Sequence, residues 1–289
     1  MTVCIAAIYD NSSVVGASDR MLTAGDIQFQ PYQSKIWALT TSVVAMVAGD
    51  IAVQAEVFQY VSGVVTERVK TEPENWWKVS DVAELYSRAY VDLRLKRAER
   101  ASLAPLGLDR NSFIQRQKEL TPEVAQRLLR ELTSFELPGI ATIIAGVDGA
   151  GPHLYVIENH LVSCNDATGF AAIGAGNWHA NSLFMSAGHT RSSPGPRTLL
   201  ITHRAKRKAE VAPGVGAETD MFVIGPALGS YVLVRSNILK DLDRFHSTYT
   251  RKIHNLDRQS ERKLNDYVRR MVEQKPPVQQ VDKESKAES

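Results

Sequence analysis

Short apolar runs separated by turn residues open the chain. Residues 2–9 (TVCIAAIY) and 13–18 (SVVGAS) favour strands, and the DNSS segment between them has side chains typical of a tight turn. Residues 35–40 (KIWALT) and 42–48 (SVVAMVA) repeat the pattern. The last of these runs is almost wholly apolar, as expected for a strand that is covered on both faces. Antiparallel strand pairs are therefore predicted at the start of the chain.

The apolar spacing then changes to that of helices. Helices are predicted from Ile51 to about Lys70, from an N-cap at Ser80, and from a start at Thr121-Pro122-Glu123. The later predicted elements are strands at 139–147, 153–158, 161–164, 219–224 and 229–234, and helices at about 177–187, 196–209 and 237–272. This order predicts an α+β fold in which two antiparallel sheets pack together between helix layers, a four-layer αββα sandwich.

The sequence shows no internal repeat and no Pro/Gly-rich linker that would divide it. We therefore expect a single domain over residues 1–272. The polar end, residues 273–289, has the composition of a disordered tail. The basic segment HRAKRKAE (203–210) is predicted to be a solvated helix face.

Composition excludes several classes of function. The 289-residue chain has a net charge of +2, which gives no electrostatic case for binding nucleic acid or a membrane surface. No run approaches the roughly 20 apolar residues of a membrane span, and no signal peptide is recognised. The His residues lack a metal-ligand spacing, so no metal is expected. Cys4 and Cys164 are predicted to be buried small side chains in a reduced, cytoplasmic protein.

Thr2 is the first candidate for chemistry. If Met1 is removed, the hydroxyl of Thr2 lies beside a free α-amino group. The reference pKa of such an amine is about 7.7–8.0, so it can act as a base near neutral pH. Many chains have Thr at this position without a function, and the assignment therefore depends on residues further along the chain.

Three such residues follow at the ends of predicted strands. Asp19 ends the second strand, Lys35 opens the third, and Gly49 follows the fourth. With Thr2 they resemble the active site of the proteasome β-type subunits and of the peptidase of the bacterial ATP-dependent two-component protease, which are N-terminal nucleophile hydrolases. The Asp-to-Lys spacing of 16 and the Lys-to-Gly spacing of 14 match that pattern. The Thr-to-Asp interval is one residue longer, and the DNSS turn can absorb the difference.

Further segments extend the resemblance over roughly residues 2–100 and 138–234. The segment AGVDGAGPHLYVIE resembles the family's hairpin after its second helix, and GFAAIGAGN resembles its small-residue turn before the third. By this comparison, residues 105–137 are a helical insertion and residues 237–272 an added C-terminal helix.

The resemblance implies a threonine-type endopeptidase that needs no cofactor. The Oγ of Thr2 would attack the scissile carbonyl, and its own amine would take the proton through a water. Lys35, kept charged by Asp19, would lower the pKa of the hydroxyl. The backbone N–H of Gly49 would donate to the oxyanion.

The resemblance also implies substrate contacts and partners. The backbone of Thr23 would hold a peptide substrate as an added strand, and Val47 would line the first specificity pocket. A medium apolar side chain there implies small-to-medium apolar residues before the cut. Self-association into rings is implied, and an ATPase unfoldase is a candidate partner.

Three positions depart from the family pattern. Ala175 stands where the family commonly has Ser, and Ala212 and Val215 align near an Asp and a Ser that usually support the amine. Two alternatives to the peptidase therefore stay open: a catalytically silent scaffold subunit of the same fold, and an amidohydrolase that uses Thr2 on a small amide.

Overall fold

The computed structural model describes residues 2–24, 27–29, 34–158 and 160–273. The chain divides into two compact units, of which the first ends at Leu239 and the second begins at Lys240. The expectation of one domain over residues 1–272 stays a prediction. Residues 274–289 of the predicted tail lie outside the described residues.

The strands of the first unit follow the apolar runs of the sequence. They are β1 (Val3–Tyr9), β2 (Ser13–Asp19), β3 (Leu22–Ala24), β4 (Ile27–Phe29), β5 (Ile36–Ala38), β6 (Val43–Gly49), β7 (Ile140–Asp148), β8 (Gly151–Glu158), β9 (Leu161–Cys164), β10 (Phe170–Gly174), β11 (Thr219–Ile224) and β12 (Val232–Leu233).

The helices alternate with groups of strands. They are α1 (Ile51–Thr71), α2 (Val79–Ser102), α3 (Arg110–Arg116), α4 (Pro122–Ser134), α5 (Asn177–Ser186), α6 (Gly195–Ala209) and α7 (Ser236–Glu273). Short 3₁₀ turns occupy Ala104–Leu106 and Gln117–Glu119. Of the helices that the structure describes, none has both the length and the hydropathy of a membrane-spanning segment.

The first unit is a four-layer αββα sandwich, as the element order predicts. One sheet has the strand order β10-β1-β2-β11-β12 and the other β5-β6-β7-β8-β9, and neighbouring strands in both are antiparallel. Helices α5 and α6 cover the first sheet, whereas α1 and α2 cover the second. Apolar side chains of the two inner faces form a common core between the sheets. Strands β1, β2 and β6 are therefore buried on both faces.

The turn between β1 and β2 sets the register that matters for the site. Asp10 and Asn11 have φ of 50° and 53°, the left-handed region that Asp and Asn tolerate better than most residues. The hairpin then pairs Cys4 with Ser18. Thr2 and Asp19, which lie just beyond this pair, consequently meet at one end of the first sheet.

Several elements differ from the sequence prediction. The small strands β3 and β4 and the strand β10 were not expected, and the predicted strand 229–234 is reduced to Val232–Leu233. Helix α2 begins at Val79 without a cap from Ser80; Lys78 occupies the N-cap position. The Oδ2 of Asp148 accepts from the N–H of Val79 at 2.9 Å, so a residue 69 positions away supplies the cap.

The region around residues 105–137 forms a small cluster of its own. Its buried side chains are Leu103, Phe113 and Leu128. Helix α4 starts where the sequence predicts, because the Oγ1 of Thr121 accepts from the N–H of Val124 and Pro122 fits the first turn.

Candidate active site

The Asp19 carboxylate is the centre of a buried hydrogen-bond network where β1 begins and β2 ends. Its Oδ1 accepts from Thr2 Oγ1 at 2.8 Å, from Lys35 Nζ at 2.9 Å and from the N–H of Val3 at 3.0 Å. Asp19 is fully buried. The three residues that the spacing selected are thus brought together around one oxygen atom.

The second oxygen of Asp19 is held by backbone groups. Oδ2 accepts from the N–H of Met21 and from the N–H of Gly216, each at 2.9 Å. With the three donors at Oδ1, these bonds take up the acceptor capacity of a carboxylate, about four lone-pair positions. The carboxylate is therefore fixed in orientation from both sides. The part played by Gly216 had no signal in the sequence, because a backbone N–H has no characteristic residue type.

Lys35 completes a buried ion pair. Its Nζ donates to Asp19 Oδ1 and, at 2.5 Å, to the carbonyl oxygen of Met21. The residue is only 7% exposed. These two bonds and the burial fix the position of the ammonium. Its charge therefore stays next to the oxygen that also accepts from the Thr2 hydroxyl.

Thr2 lines a pocket of about 420 Å³ between the two sheets. The walls consist mostly of glycine and alanine. The lining residues are Thr2, Ala48, Gly49, Gly139, Ile140, Ala141, Glu158, Gly174 and Ala175. Both the predicted nucleophile and the predicted oxyanion donor thus face one space.

Glycine is required at two of these positions by close contacts. Gly49 has φ +123°, and a Cβ there would lie 2.3 Å from the carbonyl oxygen of Gly139. Gly174 has φ +86°, and a Cβ there would lie 2.3 Å from the carbonyl oxygen of Thr2. At either position, a residue with a Cβ would force the two neighbouring backbone segments apart. The segment GFAAIGAGN therefore forms strand β10 and then a tight approach to Thr2, rather than only a turn.

Val47 does not join the network, and the backbone of Thr23 belongs to a separate strand pair. Thr23 lies in β3, which among the described residues pairs only with β4, with Thr23 opposite Gln28. Val47 is 1% exposed and belongs to the core formed with α1 and α2. Its neighbour Ala48 faces the pocket instead, because successive side chains of a strand point to opposite faces. Val47 is therefore not among the residues that line the Thr2 pocket, and its assignment to a specificity pocket stays a prediction.

The structure places apolar side chains near Thr2 or in the core at the three positions that depart from the family pattern. Ala175 lines the Thr2 pocket, and both Ala212 and Val215 are buried apolar side chains. None of the three can offer a hydroxyl or carboxylate to the amine of Thr2.

The basic segment 203–210 is not a solvated helix face. In α6, His203 and Lys206 are buried. The Nζ of Lys206 donates to the carbonyl oxygen of Ala217 at 2.6 Å and to Glu210 at 2.7 Å. Burial lowers the pKa of Lys206, and Glu210 opposes that shift. Lys206 thereby fixes the position of Ala217. The residue before it, Gly216, donates its backbone N–H to Asp19.

The two cysteines differ from each other. Cys4 is buried as predicted, and burial raises the pKa of its thiol to about 12. Cys164 is exposed, which corrects the expectation that both are buried. In the ranges 2–24, 27–29, 34–158 and 160–273, no three or more His, Cys, Asp or Glu side chains form a group that could hold a metal ion.

Neither a protein-family model nor a curated protein matches this sequence. The resemblance to N-terminal nucleophile hydrolases accordingly depends on the residues of the chain itself.

Proposed function

We propose that the chain is a threonine-type peptidase whose nucleophile is the Oγ1 of Thr2 after removal of Met1. The observation that carries this proposal is the shared oxygen of Asp19, which binds both the Thr2 hydroxyl and the Lys35 ammonium. This arrangement keeps a positive charge within about 6 Å of the hydroxyl in a buried site, where electrostatic interactions are strong.

The proposed reaction divides the work among these groups. Thr2 Oγ1 adds to the carbonyl carbon of the peptide bond, and its proton passes to the α-amine of the same residue. The C–N bond then breaks as the leaving amine takes that proton, and water hydrolyses the ester left on Thr2. The charge of Lys35 favours the developing alkoxide. Gly49 lines the pocket, and its backbone N–H is proposed as the donor to the oxyanion. Asp19 keeps Lys35 and Thr2 in position and takes no proton.

Intact-mass measurement tests the first requirement. Purified protein is expected to lack Met1, and a peptide epoxyketone or boronate is expected to add to it once. The adduct should disappear in Thr2→Ala and persist in Thr2→Ser, which retains a hydroxyl. A protein that lacks Met1 but forms no adduct would refute the proposal.

A catalytically silent scaffold is the second candidate. Ala175, Ala212 and Val215 favour it, because they leave the amine of Thr2 without the polar side chains that orient it in the family. The same labelling experiment separates the two functions.

A small-molecule amidohydrolase is the third candidate. The pocket volume of about 420 Å³ is in the range of small-ligand sites and favours this possibility. Turnover of peptides against small amides distinguishes it from a peptidase. Ring assembly, an ATPase unfoldase partner and a cytoplasmic location are further parts of the peptidase proposal that depend on the resemblance.

A further inference from the structure

Glu158 lines the same pocket as Thr2. It ends β8 and pairs with Ala141 of β7, which in turn pairs with Ala48 of β6. Cross-strand partners point to the same face of a sheet, and all three residues line the pocket. Two strand spacings separate Glu158 from Ala48, a distance of about 10 Å.

Glu158 is the one ionisable side chain among the described residues that line this pocket. It is exposed, and its carboxylate makes no hydrogen bond or ion pair with the part of the chain that the structure describes. Its acceptor positions are therefore available to a ligand. The charge of Asp19 at the other end is already compensated by Lys35.

The remaining walls offer little to an apolar side chain. Apart from Ile140 and the methyl group of Thr2, they consist of alanine and glycine, which provide space but little contact area. Val47, the basis for expecting apolar specificity, lies in the core. The pocket is thus wide and lined by uncharged residues, apart from the carboxylate of Glu158. Such a pocket suits a cation on a long side chain.

We infer that this site selects peptides that carry lysine or arginine close to the scissile bond, with Glu158 as the specificity-determining residue. The inference rests on the proposed peptidase function and names its substrate class. Because Glu158 and Thr2 line the same pocket, the recognised cation lies within a few residues of the bond that is cut.

The first test is cleavage of a peptide library read by mass spectrometry. The wild-type protein is expected to prefer basic over neutral residues near the cut by about fivefold, the largest ratio that one exposed charge pair ordinarily gives. Glu158→Gln should remove that preference, and Glu158→Lys should reverse it towards acidic residues. Glu84→Gln, on the exposed face of α2, is the matched control and should leave the preference unchanged.

Binding to Thr2→Ala keeps the inference separate from catalysis. A fluorescein-labelled pentapeptide with a central arginine is expected to bind this variant about fivefold more tightly than its norleucine counterpart, and the Thr2→Ala/Glu158→Gln variant should bind both equally. If Thr2 is labelled by an epoxyketone but neither cleavage nor binding favours the cation, this inference fails and the peptidase proposal stands. If no adduct forms but Glu158-dependent binding is seen, the peptidase proposal fails and the cation site stands.

Discussion

Replacing Asp19 by asparagine should destabilise the protein severely. The substitution preserves shape but removes the charge that compensates Lys35, whose side chain is 8% exposed. An unpaired buried charge of this kind costs about 3–5 kcal/mol. The new amide nitrogen must also face donors, since N–H or O–H groups occupy both oxygen positions, and each lost bond adds about 1–3 kcal/mol. We therefore expect a loss of at least about 5 kcal/mol, a large part of the stability of an ordinary domain.

Urea unfolding monitored by tryptophan fluorescence measures this loss. The control is Asp220→Asn, because Asp220 pairs with an Arg20 side chain that is 29% exposed. A more exposed pair contributes about 1 kcal/mol or less. Adding Lys35→Met to Asp19→Asn should restore about 2 kcal/mol or more, because the uncompensated ammonium is then gone.

Two outcomes would show that Asp19 and Lys35 are not coupled in this way. One is an Asp19→Asn variant as stable as Asp220→Asn. The other is a double variant less stable than Asp19→Asn alone, which would mean that the ammonium is satisfied without the carboxylate.

Three further predictions concern Gly49, Lys206 and the cysteines. Gly49→Ala should lower the free energy of unfolding by about 2 kcal/mol or more and should abolish labelling by the epoxyketone. The control is Gly107→Ala, where φ is also positive but no atom of the described residues lies near the added Cβ. It should lower the free energy of unfolding by about 1 kcal/mol and leave the labelling unchanged. Because burial lowers the native-state pKa of Lys206, the unfolded state binds more protons between that pKa and about 10.5. Stability relative to Lys206→Met should thus rise with pH across this window in urea titrations, and a flat difference would contradict the burial argument. Iodoacetamide at pH 8 should modify Cys164 and spare Cys4, whose thiol pKa is raised to about 12, and peptide mapping that finds Cys4 alkylated in native protein would refute this.

The fold was predictable because hydrophobic periodicity dominates it. Strands such as β6 are apolar on both faces, and the helices that cover them have regular apolar spacing, so the layer order follows. The unpredicted strands β3 and β4 have only three residues each, too few for a pattern to emerge. The cap of α2 was missed because Asp148 belongs to a distant strand, and tertiary contacts of this kind leave no local signal.

The candidate site was predictable where side chains carry it. Thr2, Asp19 and Lys35 were selected because their types and spacing resemble the family's active site, and the structure brings them together. Val47 does not line the Thr2 pocket, because spacing along a strand does not say which face meets that pocket. Lys206 was misread because a long stem lets a charged residue cross a buried layer, which makes a basic run an unreliable sign of exposure.

The bond between Gly216 and Asp19 has a consequence for synthesis of the chain. It joins groups 197 residues apart, so a growing polypeptide can make Asp19 and Lys35 long before the last donor exists. Contacts of such high sequence separation form late in folding. A ribosome-bound fragment that ends before residue 216 therefore carries an unfinished site. In such a fragment the carboxylate of Asp19 lacks one of the five donors that fix its orientation in the complete first unit.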